Sequence, residues 1–244
     1  MRTILVILFL IVYFIITLPL FLVLKLIEVF APMAGSKASQ AVIKHSFRFL
    51  LMLSGAKITV LGLENIPTDR PVLFTSNHRS YMDIPLGYSS VPVVTGFVAK
   101  KEIKKFIGLN WWMTAVNCLF IDREDMKQSL KVILAAIDKV KAGYSIFIMP
   151  EGTRNHSDEL LPFKEGSFKI ADKSGCPVVP VAISNADALF ELHKPWIKSA
   201  PVVIHYGKPI FMEDLSRDER KSLAPRVMAE VSAMLEEDKV YINK

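Results

Sequence analysis

Apolar residues follow two regimes along the chain. From Ile4 to Leu24 they are nearly continuous, with no charge and Thr17 as the one strongly polar interruption. As a helix this run would extend roughly 30 Å, the thickness of a bilayer core. Pro19 should kink it, which lipid-embedded helices tolerate. Residues 40–55 behave differently: Val42, Ile43, Phe47, Leu50 and Leu51 fall on one helical face, Lys44, His45 and Arg48 on another. That pattern suits either an interfacial helix with its polar face among headgroups or a helix packed on a soluble domain.

After Gly55 short apolar runs alternate with amphipathic stretches. Strands are predicted over 57–62, 71–77, 94–100, 117–122, 144–150, 177–184 and 201–207. Helices are predicted over 83–90, 101–115, 124–142, 165–174 and 217–238. The clearest is 124–142, where Leu130, Ile133, Leu134, Ile137 and Val140 form a stripe that Gly143 ends. This alternation predicts an α/β fold with a mixed, largely covered sheet, preceded by N-terminal membrane-associated helices. Two regions follow: residues 1–56 as membrane anchor and interfacial helix, and 57–244 as the main domain.

Charge refines the picture. Lys25, Lys37, Lys44 and Arg48 follow the apolar run and Arg2 alone precedes it, which favours a cytoplasmic main domain if the run crosses a membrane. A retained anchor is favoured over a cleaved signal, since the run exceeds a usual signal core; a helical hairpin entering one leaflet fits the same residues. The formal charge of +6 points first to anionic lipid, and no motif for nucleic acid is present. Cys118 and Cys176 make no disulfide framework. His45, His78, His156, His193 and His205 lack metal-ligand spacing, and no G-x-S-x-G elbow occurs, so neither a metal nor another cofactor is expected.

Functional groups of α/β domains gather where chain leaves strand C-termini. Three polar stretches stand there. SNHRSYMDIP (76–85) places Asn77, His78, Arg79 and Asp83 together; IMPEGTRN (148–155) carries Glu151, Gly152, Thr153 and Arg154; FIDRED (120–125) supplies Arg123. KKEIKK (100–105) adds Lys100 and Lys101, on a run that a solvated helical face also explains. A histidine–carboxylate pair with separate arginines can deprotonate a hydroxyl and hold an anion without a protein nucleophile. Taken singly, each stretch is equally a polar turn, a surface ion pair or a helix cap.

Together and in order, NHRSYMD, FIDR, PEGTR and VPVAI resemble the four motif blocks of the glycerolipid acyltransferases, above all the 1-acylglycerol-3-phosphate acyltransferases. The resemblance spans roughly residues 57–210 and includes PFKEGSFKIA (162–171). It implies a catalytic His78 assisted by Asp83, with Asn77 fixing the loop. It also implies an acceptor-phosphate site formed by Arg123, Glu151, Gly152, Thr153 and Arg154, with Arg79, Lys100 and Lys101 near the substrate. The implied substrates are an acyl thioester, acyl-CoA or acyl-carrier protein, and the membrane lipid lysophosphatidic acid, giving phosphatidic acid. Met149 replaces a common aromatic, Asn117 a frequent glycine and Arg79 a frequent glutamine, all close to where the acceptor would sit. Another lyso-lipid acceptor (a lyso-ornithine lipid or a phospholipid being remodelled) remains open, as does a non-catalytic lipid-binding protein.

Overall fold

The computed structural model describes residues 1–157 and 159–243. Two long helices, α1 (Arg2–Phe30) and α2 (Pro32–Ser54), come first. Alternating elements follow: β1 (Ala56–Leu61), β2 (Leu73–Ser76), α3 (Asp83–Ser90), β3 (Thr95–Lys100), α4 (Ile107–Ala115), β4 (Leu119–Ile121), α5 (Met126–Lys141) and β5 (Ser145–Ile148). The chain ends with α6 (Glu165–Ser174), β6 (Val178–Ser184), β7 (Ala200–Tyr206), α7 (Arg217–Lys221) and α8 (Leu223–Ile242). All seven predicted strands form. Two predicted helices are interrupted. Lys101–Lys105 is a short 3-10 turn that Phe106, in extended backbone, separates from α4. The C-terminal helix breaks at Ser222, because the ring of Pro225 would collide with the Lys221 carbonyl of a continuous helix.

The strands form one sheet in the order β1-β7-β6-β2-β5-β3-β4. Neighbours are parallel except β6 and β7, so the sheet is mixed. Side chains alternate between two cores. Phe74, Phe97, Phe147, Val179 and Val181 face the α1–α4 side; Leu73, Ile146, Ile148, Val178 and Ala182 face α5, α6 and α8. With both faces covered, the central strands are continuously apolar rather than alternating. Across the first face Phe97 and Phe147 stack with centroids 4.6 Å apart, and Phe74 joins them at 5.7 Å.

α1 and α2 pack as an antiparallel hairpin turned at Ala31, with Pro32 in the first turn of α2. The backbones approach closely: a Cβ on Gly35 would stand 2.6 Å from the Glu28 Cα. The hairpin is not a stalk. Val6, Phe21, Leu24, Ile43, Leu50 and Leu51 belong to the same core as Phe74 and Phe147. Phe21 packs on Trp111 and Trp112 of α4, and Tyr13 on Trp112. The boundary expected after residue 56 therefore separates no independent core.

Contacts of α1 with the main domain run from end to end. The Ile197 backbone N–H donates to Thr3 Oγ1 at 2.9 Å, Phe14 lies against Gly108, and at the turn Met33 meets Gly143. A helix of 29 residues is roughly 44 Å long, and its N-terminal end and the turn that follows it both rest on one globular body. Its outer face stays apolar and uncovered, with Ile4, Leu8, Ile11, Ile15, Ile16 and Leu22 exposed. By length and composition α1 is apolar enough to cross a membrane. It lies along the domain rather than standing apart from it.

Candidate active site

His78 leaves the central strand β2 two residues beyond its end, on the loop that enters α3. Its Nδ1 lies 2.7 Å from Asp83 Oδ2. Asp83 opens α3 and is fully buried. The same Oδ2 accepts the backbone N–H groups of Arg79 and Ser80, each at 2.8 Å. Burial pushes the Asp83 carboxyl up from the ordinary carboxylate range, and the hydrogen bonds from His78, Ser80 and Arg79 pull it back. Backbone N–H groups can only donate, so Oδ2 acts as an acceptor and the shared proton sits on His78 Nδ1. Nε2, the other ring nitrogen, is then a base directed away from Asp83.

Two clamps hold the loop in place. Asn77 is buried, its amide donating to the Ile183 carbonyl and accepting the Ile183 N–H, both at 2.9 Å, which fastens the loop to β6. Glu151 departs from its expected place at the acceptor phosphate. Its carboxylate is buried: one oxygen accepts the His78 N–H at 2.7 Å, the other accepts Asn155 Nδ2 and the Leu161 N–H at 3.0 Å. The His78 carbonyl in turn accepts the Asn155 N–H at 2.7 Å. Polar residues of the 148–155 stretch thus hold the His78 loop.

Arg154 and Arg123 have different surroundings. The Arg154 guanidinium stands 3.7 Å from the Tyr81 ring centroid and donates to the Tyr81 hydroxyl at 3.0 Å. Glu191 Oε1 lies 3.6 Å from its Nη1, an ion-pair contact too long for a hydrogen bond. Glu191 also accepts Ser80 Oγ and, at 2.9 Å, the Tyr81 N–H. Arg123 lines a groove of about 350 Å³ with Val98, Met126, Met149, Gly152 and Lys164. Gly152 has φ of +75°, where a side chain would be strained and would meet Lys164 Nζ.

The remaining candidates scatter. Arg79 pairs with Asp187 at 3.2 Å. Thr153 is exposed on the turn. Lys100 lies 3.5 Å from Glu102, and Lys101 is bound by Asp122, whose carboxylate raises the lysine's pKa. Asp125 caps α5, accepting the N–H groups of Lys127 and Gln128. Sequence alone singles out neither Glu191 nor Tyr81. Glu191 sits in a 3-10 turn about 110 residues from the loop it holds and belongs to no recognisable motif.

A family model described as Acyltransferase matches residues 57–184, just over half of the 244-residue chain and all of the His78, Arg123 and Glu151 loops. The chain belongs to this acyltransferase family. Among relatives, the 1-acyl-sn-glycerol-3-phosphate acyltransferase of Borreliella burgdorferi is 30% identical over 84% of the chain and 82% of its own length. The enzyme of that name from Saccharomyces cerevisiae is 28% identical over 78% of the chain, and a chloroplastic one from Brassica napus 33% identical over 72%. The chain spans 64% and 52% of those two relatives. The crystal structure of the 1-acyl-sn-glycerophosphate (LPA) acyltransferase from Thermotoga maritima superposes with a TM-score of 0.77, 29% identity and 98% coverage of both chains. The likeness to that structure therefore extends over the N-terminal hairpin as well as the sheet.

Proposed function

We propose that the chain is an O-acyltransferase that moves a fatty acyl group from an acyl thioester, acyl-CoA or acyl-carrier protein, to the free hydroxyl of 1-acylglycerol 3-phosphate, forming phosphatidic acid. The observation that carries this reading is the His78–Asp83 pair, with Nδ1 engaged at 2.7 Å and Nε2 left to meet a substrate hydroxyl. As that hydroxyl attacks the thioester carbonyl, Nε2 takes its proton, and Asp83 stabilises the resulting imidazolium. Collapse of the tetrahedral intermediate forms the ester and expels the thiolate, which receives the proton from His78. The chemistry needs no metal or cofactor.

The two arginines are the natural partners of the acceptor phosphate. Gly152 lines the Arg123 groove and lies two residues before Arg154, so the groove ends within about 7 Å of the Arg154 backbone. A phosphate at this turn meets a guanidinium on either side. The hairpin places the cleft at the lipid surface with its apolar outer face in one leaflet, since the start of α1 and the turn after it rest on the same domain. The positive-inside bias presupposes a crossing. A cytoplasmic placement, which we retain as part of the proposal, depends on the thioester donor being met on that side.

A second reading keeps the chemistry and changes the acceptor. The Glu191 carboxylate beside Arg154 would favour a less charged headgroup. The test is transfer to a panel of lyso-lipids with both donor types, using wild type, His78→Ala and Asp83→Ala. General-base catalysis contributes about 10²–10⁴-fold, so either substitution should cost at least that with circular dichroism unchanged. A His78→Ala protein keeping more than about half of wild-type turnover would sink the mechanism. Preference for an uncharged headgroup over lysophosphatidic acid would move the acceptor to the second reading.

A further inference from the structure

Part of the polar face of α2 meets backbone carbonyls of the main domain. Gln40, Lys44 and Arg48, one helical turn apart, form a row turned toward the chain that leaves α3. Arg48 Nε donates to the Ser89 carbonyl at 2.9 Å, Lys44 Nζ to the Val91 carbonyl at 2.8 Å and Gln40 Nε2 to the Val93 carbonyl at 2.8 Å. Gln40 Oε1 also accepts the Thr95 N–H at 2.8 Å, which fixes the start of β3. Three side chains at spacing four thus meet three carbonyls at spacing two. The last carbonyls of a helix have no partner within it, and α3 ends at Val91, where the backbone leaves the helical region. Its C-terminal end is completed by another element, and by two cations placed where the helix dipole favours them.

We infer that Gln40, Lys44 and Arg48 are positioning residues: they fix α3 from its C-terminal end and so set where Asp83, at the other end, presents its carboxylate to His78. α3 has eight residues, roughly 12 Å, short enough to move as one rigid piece. A catalytic pair must be held within about 0.5 Å of its working geometry, and a displacement of about 1 Å costs on the order of 100-fold in rate. α2 is one arm of the hairpin whose other arm carries the lipid-facing surface. The hairpin is thereby part of the catalytic apparatus, and loosening it reaches the His78–Asp83 pair through α3. This inference rests on the general-base role proposed for His78.

The test uses the full chain in micelles and in anionic phospholipid vesicles. Lys44→Met and Arg48→Met are combined, both in wild type and in an Asp83→Asn background. The double variant is expected to lose about 10-fold or more in kcat in both media, with KM for lysophosphatidic acid and vesicle co-sedimentation within about twofold of wild type. Arg48→Lys should restore part of the rate. In the Asp83→Asn background the further loss should shrink to less than about twofold, since residues acting through one group are not additive. Unchanged kcat with weakened vesicle binding would overturn the inference, assigning the row to lipid. An equal fold loss in both backgrounds would overturn it too, leaving only a general contribution to stability. If the double variant does not fold, Arg48→Met alone carries the same comparisons. A His78→Ala control separates the two levels: if it stays active the general-base role fails, whereas an inactive His78→Ala beside an unimpaired double variant removes the positioning role alone.

Discussion

At Arg154 the guanidinium is held by the protein's own side chains, stacked on Tyr81 and facing Glu191. A planar fork fixed in this way loses little freedom on meeting a phosphate. Arg154→Ala should therefore weaken use of the acceptor: a charge-assisted contact of about 1.5–3 kcal/mol corresponds to roughly 10- to 150-fold in kcat/KM. Lysine should restore only part of this, because it keeps the charge and loses the fork. Paired titrations of acceptor and donor decide the matter. A strong effect on donor dependence with acceptor dependence intact would assign the arginine to the other substrate. At this scale the sequence was informative where contacts are short in sequence. His78 and Asp83 are five residues apart on one loop, so strand–loop–helix patterning brings them together. Glu191 reaches the same loop from a segment with no pattern of its own, and nothing in its neighbours signals a buried carboxylate. Glu151 was legible as a residue and misread as a role, since a motif gives position in the chain and not the direction of a carboxylate.

The elements themselves were largely legible because strands and helices impose periods of two and 3.6 on apolar residues. What the pattern left open was the partner of each polar face. Lys44 and Arg48 are polar whether they meet water, headgroups or backbone carbonyls, and only the fold selects the carbonyls. For α1 the ambiguity was the converse, because a lipid-facing helix and a packed one are equally apolar. Phe21 distinguishes them: it is 9% exposed, with its ring 6.0 Å from Trp111 and 5.4 Å from Trp112. Truncating a buried phenylalanine costs about 3–5 kcal/mol. Phe21→Ala should accordingly lower the midpoint of thermal unfolding in micelles by several degrees, while Ile15→Ala, on the exposed face of α1, should leave it nearly unchanged. Equal midpoints for the two variants would mean that α1 is detached from α4 in solution.

For the whole molecule, the decisive geometry is that the start of α1 and the turn after it touch one body. Thr3 receives the Ile197 N–H, and Met33, just past the turn, lies against Gly143. A helix crossing the bilayer would have to leave one end on the far side, which would drag half of a polar domain through hydrocarbon. The arrangement we propose costs far less: a hairpin lying in one leaflet would put its exposed isoleucines and leucines among the acyl chains and leave the cleft at the headgroups. The outer face that would enter the leaflet includes Leu8, Ile11, Ile15 and Ile16, all exposed. Topology can be read chemically. With Cys118 and Cys176 replaced by alanine, a single cysteine is placed at Ile4 or at Phe30, near opposite ends of α1 and both exposed. Protein in sealed vesicles is then treated with a membrane-impermeant maleimide from one side. Both positions should share one fate, labelled from the side that carries the domain or protected together from the other. The fluorescence of a dye at Ile16 should at the same time be quenched by lipids bearing a nitroxide partway down the acyl chain. If Ile4 is labelled on intact vesicles and Phe30 only after they are opened, or the reverse, α1 crosses the bilayer and its packing along the domain does not persist in the membrane.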